Sequence, residues 1–90
     1  MEDGRQRLDK WLWYARVART RTLAARLVVE GHVRLNSQRV EQASRHVRAG
    51  DVLTVALERD VRVLRVLGPG VRRGPATEAR LLYEELRSPN

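Results

Sequence analysis

The sequence predicts an α+β fold: two packed helices, a small, strongly twisted antiparallel sheet, and a C-terminal helix covering one side. Three features predict it. Apolar residues recur at helical spacing up to Gly31 and at every second position after it. Two runs rich in valine and leucine, 52–57 and 61–67, are separated only by Glu58-Arg59-Asp60, the spacing of a hairpin. Gly68-Pro69-Gly70 and Gly74-Pro75 then set off a last segment carrying Leu81, Leu82, Tyr83 and Leu86.

Helix 1 is expected over Lys10 to Val17. Leu8, Trp11, Leu12 and Ala15 share one helical face, and Asp9 stands where an N-cap would, with Leu8 and Trp13 at staple spacing around it. Helix 2 is expected over Arg21 to Glu30. Thr20 is its N-cap, Leu23, Ala24, Leu27 and Val28 form its stripe, and Gly31 suits the C′ position. A link of two or three residues makes the helices neighbours. Val33 and Leu35 then alternate with Arg34, Asn36-Ser37 is a tight turn, and Gln38 to Val40 return as a short strand. Residues 41–49 read as irregular. The strands 52–57 and 61–67 follow, and a last helix is expected over Thr77 to Leu86. The division expected is residues 7–67 for the domain with its sheet and 68–90 for a loop and helical extension packed on it.

Ninety residues make one domain near the small end of what folds unaided. There is no cysteine, so no disulfide framework, and no apolar run long enough to span a bilayer. The N-terminal residues lack the apolar stretch of a secretory signal. A cytoplasmic protein is expected. The net charge is +7 and lopsided: residues 1–50 hold 11 basic and 5 acidic groups, a net of +6, whereas residues 51–90 hold 7 and 6. Charge gathered in one half points to a face that meets a polyanion.

The gathering is densest in residues 15–26, ARVARTRTLAAR, with Arg16, Arg19, Arg21 and Arg26 and no carboxylate between Asp9 and Glu30. Arg21 falls at the first position of helix 2 and Arg19 just before its cap. Cations there oppose the helix dipole, by roughly 0.3–1 kcal/mol each when exposed. A phosphate docked at the same place reverses the sign, because the dipole, the free amides and the guanidinium groups all favour it. Arg34, Gln38 and Arg39, on and beside the Asn36-Ser37 turn, extend the same basic surface.

These residues carry a resemblance. Arg7-Leu8-Asp9-Lys10, Arg16, Thr20-Arg21, Ala24, Gly31, Val33, Leu35-Asn36, Val47 and Gly50-Asp51 are similar in order and spacing to the S-four (S4) RNA-binding domain, over about residues 7–55. RLDKWLWYAR at the start and RRGPATEARLLYEEL at 72–86 further resemble the bacterial heat-shock protein fifteen family. The resemblance implies an S-four (alpha-L) type fold and a non-enzymatic RNA-binding role. Its partner would be rRNA of the large ribosomal subunit still holding a peptidyl-tRNA after aborted translation, in rescue or quality control under stress. Carried over position by position, the RNA surface falls on Arg7, Lys10, Arg16, Arg19, Thr20, Arg21, Arg26, Arg34, Asn36, Ser37, Gln38 and Arg39. Two departures stand out. Ser37 replaces the usual glycine after the turn asparagine, which leaves the turn type open. The long basic C-terminal tail of many relatives is not among these residues.

Other chemistry finds little support. His32 and His46 lack metal-ligand spacing, and no phosphate-binding glycine loop or nucleophile motif is present. No cofactor, no metal and no membrane are expected. With only four aromatics, Trp11 and Trp13 are expected to pack rather than stack on bases. A monomer is expected, since no apolar stripe is left over. The alternatives are an RNA-targeting accessory subunit of a separate RNA-modifying enzyme and a nucleic-acid-binding regulator.

Overall fold

The structure, a computed structural model, describes residues 4–87. Strand β1 (Gln6–Arg7) leads into helix α1 (Leu8–Tyr14), and helix α2 (Arg21–Val29) follows. Then come β2 (Val33–Leu35), β3 (Gln38–Arg39), β4 (His46–Val47), β5 (Val52–Ala56) and β6 (Val61–Val66). A short helix α3 (Ala76–Ala79), a 3-10 turn (Arg80–Leu82) and β7 (Tyr83–Arg87) complete the chain. β1 pairs with β4, and the other strands form one antiparallel sheet in the order β3-β2-β5-β6-β7.

α1 starts two residues earlier and ends three earlier than its sequence predicts. Asp9 is inside the helix, and the N-cap is Arg7, which makes no side-chain cap. None is needed: the amides of Leu8 and Asp9 donate to the carbonyls of Arg45 and Ala43 at 2.7 and 3.1 Å. Long-range backbone thus does what a capping side chain does elsewhere. At the other end, Val17 N–H bonds to Leu12 and Arg16 N–H to Trp13, a complete Schellman closure with Arg16 at φ +62°. This lengthens the interhelix link to residues 15–20. α2 ends in the same way, His32 N–H to Leu27 and Gly31 N–H to Val28, with Gly31 at φ +87°. The expected Thr20 cap is formed, its hydroxyl accepting from the Leu23 amide at 3.0 Å.

The hairpin β2–β3 turns through Asn36 and Ser37 at φ +51° and +73°. Two left-handed central residues define a type I′ turn, so Ser37 adopts the conformation that glycine would favour. Beyond it, alternation builds the core. Val33 and Leu35 on β2, Leu53 and Val55 on β5, and Leu64 and Val66 on β6 are buried beneath Leu8, Trp11, Leu12, Ala24 and Val28 of the helices. Each large apolar side chain buried in this way contributes about 1.5–3 kcal/mol. Buried Ala15, Ala18 and Ala24 keep side chains small where the helices meet.

The C-terminal segment departs most from expectation. Only Ala76–Ala79 is α-helical, and Tyr83–Arg87 is a fifth strand on the edge of β6. An isolated helix of about ten residues is marginal. β6 offers instead a free row of backbone groups and two arginines. Arg65 meets its register partner Glu84 at 2.7 Å, and Arg62 holds Glu85 through two bonds of 2.7 and 3.1 Å. Tyr83 sets its ring edge-on to Trp11, with centroids 6.5 Å apart.

Candidate nucleic-acid interface

The site begins at Asp9, the one buried charged residue among those described. Its carboxylate accepts from Arg7 Nε and Nη2 at 3.1 and 3.0 Å and from the Lys10 amide at 2.8 Å, and Arg21 Nε lies 3.7 Å away. Burial alone would raise its pKa. The Arg7 hydrogen bonds, with the charges of Arg7 and Arg21, more than offset this and hold the carboxyl below its ordinary range. Asp9 reciprocally raises the Arg7 pKa, chiefly through the same hydrogen bonds. The triad retains a net positive charge and joins the start of α1 to the start of α2. Next to it, Lys10 Nζ sits over the Tyr14 ring at 5.6 Å, and Tyr14 stacks on Trp13 at 5.4 Å. Trp13 is half-buried against the core, and Trp11 is fully buried with Nε1–H donating to Gly68.

The arginines of residues 15–26 are therefore not all unpaired. Asp9, from the start of α1, folds onto Arg21, and Glu30, one helical turn after Arg26, pairs with it at 3.4 Å. Arg16 Nε donates to Gly74 at 2.7 Å, which pins the loop after β6 against the interhelix link. Arg73 reaches the Ala18 carbonyl from that loop. Arg19 alone of the four keeps an exposed guanidinium with no partner among the described residues. No acid occupies the first turn of α2, and Thr20 satisfies only the Leu23 amide. The amides of Arg21 and Thr22 stay outside the intrahelical pattern.

At the hairpin, exposed Arg34 and Arg39 are register partners on β2 and β3. Arg34 has no side-chain partner among the described residues, whereas Arg39 pairs with Glu41 at 3.5 Å. The Arg39 guanidinium also lies across Gly31, where a Cβ would stand 2.5 Å from Nη2. Ser37 and Gln38 are exposed. Asn36 serves the fold: its Oδ1 accepts from the Val52 amide at 2.9 Å, and its Nδ2 donates to Asp51 at 3.2 Å. The predicted residues thus form two groups, one around the helix starts and one at the hairpin, with Arg26 on α2.

A depression of about 530 Å³ borders the hairpin group, lined by Asn36, Arg5, Arg45, His46 and Arg48 among others. Arg45, His46 and Arg48 are absent from the sequence-predicted site because 41–49 carries no periodicity. The signal available was RHVR itself, three basic or imidazole side chains in four residues. Among the described residues, no group of three or more His, Asp and Glu side chains is placed to hold a metal ion, and no helix is long and apolar enough to cross a membrane.

The S4 domain pattern matches residues 6–53. In structure, the chain superposes on Heat Shock Protein 15 of Vibrio cholerae, solved as a trimer, with a TM-score of 0.84 and 38% identity, covering 90% of this chain and 81% of that one. The chain belongs to the heat shock protein 15 family. Heat shock protein 15 of Escherichia coli K12 is 44% identical over 79 residues, 88% of this chain and 59% of that protein. The Haemophilus influenzae homologue is 35% identical over 88 residues, 98% of this chain and 66% of that protein. The chain thus spans about three fifths to two thirds of these relatives.

Proposed function

We propose that this heat shock protein 15 relative binds rRNA of the large ribosomal subunit, on subunits that retain a peptidyl-tRNA after aborted translation. It serves ribosome rescue or quality control in the cytoplasm and catalyses no reaction itself. The observation that carries this reading is the Arg7–Asp9–Arg21 triad at the two helix starts, with Arg19 exposed beside an N-terminus that holds no acid. Arg16, Lys10, Thr20, Arg26 and the hairpin residues Arg34, Asn36, Ser37, Gln38 and Arg39 complete the surface. Contacts of guanidinium and backbone amide to phosphate read shape and position rather than sequence.

In this reading the chain works as a monomer. Its exposed large apolar residues among those described are spread over α2 (Leu23, Val29), β6 (Val61), the loop after it (Leu67, Val71), the 3-10 turn (Leu81) and β7 (Leu86). The Vibrio relative, by contrast, was solved as a trimer.

Sedimentation with purified large subunits tests the role. Subunits carrying peptidyl-tRNA are expected to retain the protein at moderate salt, and empty subunits to retain less. Equal absence from both would remove the ribosome as partner.

A further inference from the structure

The helix-start group and the hairpin group are joined by a trough that neither contains. The depression beside Asn36 has a neighbour of about 560 Å³ lined by Arg7, Lys10 and Tyr14, and Arg5 and His46 are walls of both. The connection is built into the backbone: Arg7 and His46 are register partners in the β1–β4 ladder. Directly opposed residues of an antiparallel pair project to one face. Arg45 and Arg48 flank His46, and both are exposed with no side-chain partner among the described residues.

Arg45 and Arg48 have no ion-pair partner in this trough among the described residues. Asp51 is its one carboxylate among the described lining residues, and both its oxygens are engaged, Oδ1 by Asn36 Nδ2 and Oδ2 by the Arg48 amide at 3.0 Å. Gln42 and Ser44 supply the remaining polar lining of the hairpin end. Small-molecule pockets are mostly apolar with a few polar groups. The Asn36 end, lined by arginine, histidine and amide side chains, suits a chain of phosphates, and the other end sets Arg7 and Lys10 beside Tyr14, Pro69 and Val71.

We propose that Arg45, His46 and Arg48 form a second phosphate-binding strip, which carries one RNA strand from Arg7 and Lys10 through the trough to the Asn36 turn. This rests on the RNA-binding reading above and extends it: the bound strand runs continuously between the two groups instead of touching each separately. Neutralising Arg45 and Arg48 removes two phosphate contacts. For a single strand each contact contributes about 0.7 to the slope of log affinity against log salt, so the slope should flatten by about 1.4.

The test is a titration of deproteinised large-subunit rRNA at several salt concentrations. It compares the parent chain, R45Q/R48Q, and R59Q/R80Q as a control that makes the same change in net charge outside the trough. Circular dichroism melts check the fold, since neither Arg45 nor Arg48 anchors it through its side chain. The expected result is a weaker, flatter salt dependence for R45Q/R48Q only. Equal flattening in both variants would reduce the effect to net charge and overturn the strip, as would an unchanged slope in R45Q/R48Q. In either case a parent chain that binds leaves the RNA-binding reading standing. A parent chain that binds no rRNA overturns both.

Discussion

Asp9 shows how a single carboxylate serves both fold and surface. It holds Arg7 and Arg21, from two elements, in fixed positions. Asp9→Asn is expected to cost about 1–3 kcal/mol near neutral pH, the range for losing hydrogen bonds between charged partners at a buried site. Because its folded pKa is depressed, its contribution is present above the ordinary aspartate pKa of about 3.9 and is lost as pH falls through the folded value. Urea melts of parent and Asp9→Asn should therefore differ near pH 7 and converge at strongly acidic pH; a constant gap would refute the ionic role. Arg16 is the second residue with two duties. Its φ of +62° costs about 1 kcal/mol relative to glycine, while its bond to Gly74 returns a similar amount. Arg16→Gly should accordingly shift stability by less than about 1 kcal/mol in the same melts, and a larger loss would make the side chain a main support of the link. The sequence shows which arginines cluster. It does not show that Asp9 reaches Arg21, because that pairing depends on where α1 and α2 start and how they pack; the Arg26–Glu30 pair is a local i,i+4 contact.

At the scale of elements, α2 and the hairpins β2–β3 and β5–β6 are legible because each carries its own local signals: the Thr20 cap, Gly31, alternation, and turn residues at fixed spacing. α1 was displaced because its N-terminal amides are satisfied by residues 43 and 45, a long-range contact with no local trace. The sequence of the last segment points to a helix because Leu81, Leu82 and Leu86 fit a helical stripe. Its strand character comes from β6, whose arginines face Glu84 and Glu85. In this setting the Arg62 pKa is raised, foremost by its hydrogen bond to Glu85. Arg62→Met removes that bidentate pair and the contact to the Tyr83 hydroxyl at 3.3 Å. It should lower stability by about 1–2 kcal/mol in denaturant melts, and an unchanged midpoint would mean that β7 is held by backbone pairing alone. Gly70 marks the same packing: its carbonyl and amide both bond the Gln6 side chain at 2.9 Å, and a Cβ would stand 2.8 Å from the Tyr14 ring.

The whole molecule sets its charge on one half of the chain, and the fold turns that half into a connected surface. Light scattering of the isolated chain should return the mass of one copy; the mass of three would contradict the monomer. Most of the surface was visible as charge in the sequence, but its middle, at Arg45, His46 and Arg48, appears only when β4 pairs with β1. In the proposed mode of binding, RNA phosphates meet the arginines at the helix starts. Arg21→Glu would set a second carboxylate beside Asp9, so neutral glutamine is the cleaner replacement. The most direct measurement is the affinity of R19Q/R21Q for large-subunit rRNA at low and moderate salt, beside the parent chain. Binding should be weaker at both, with a slope flatter by about 1.4–1.8. A double variant that folds normally and binds rRNA as tightly as the parent would contradict it.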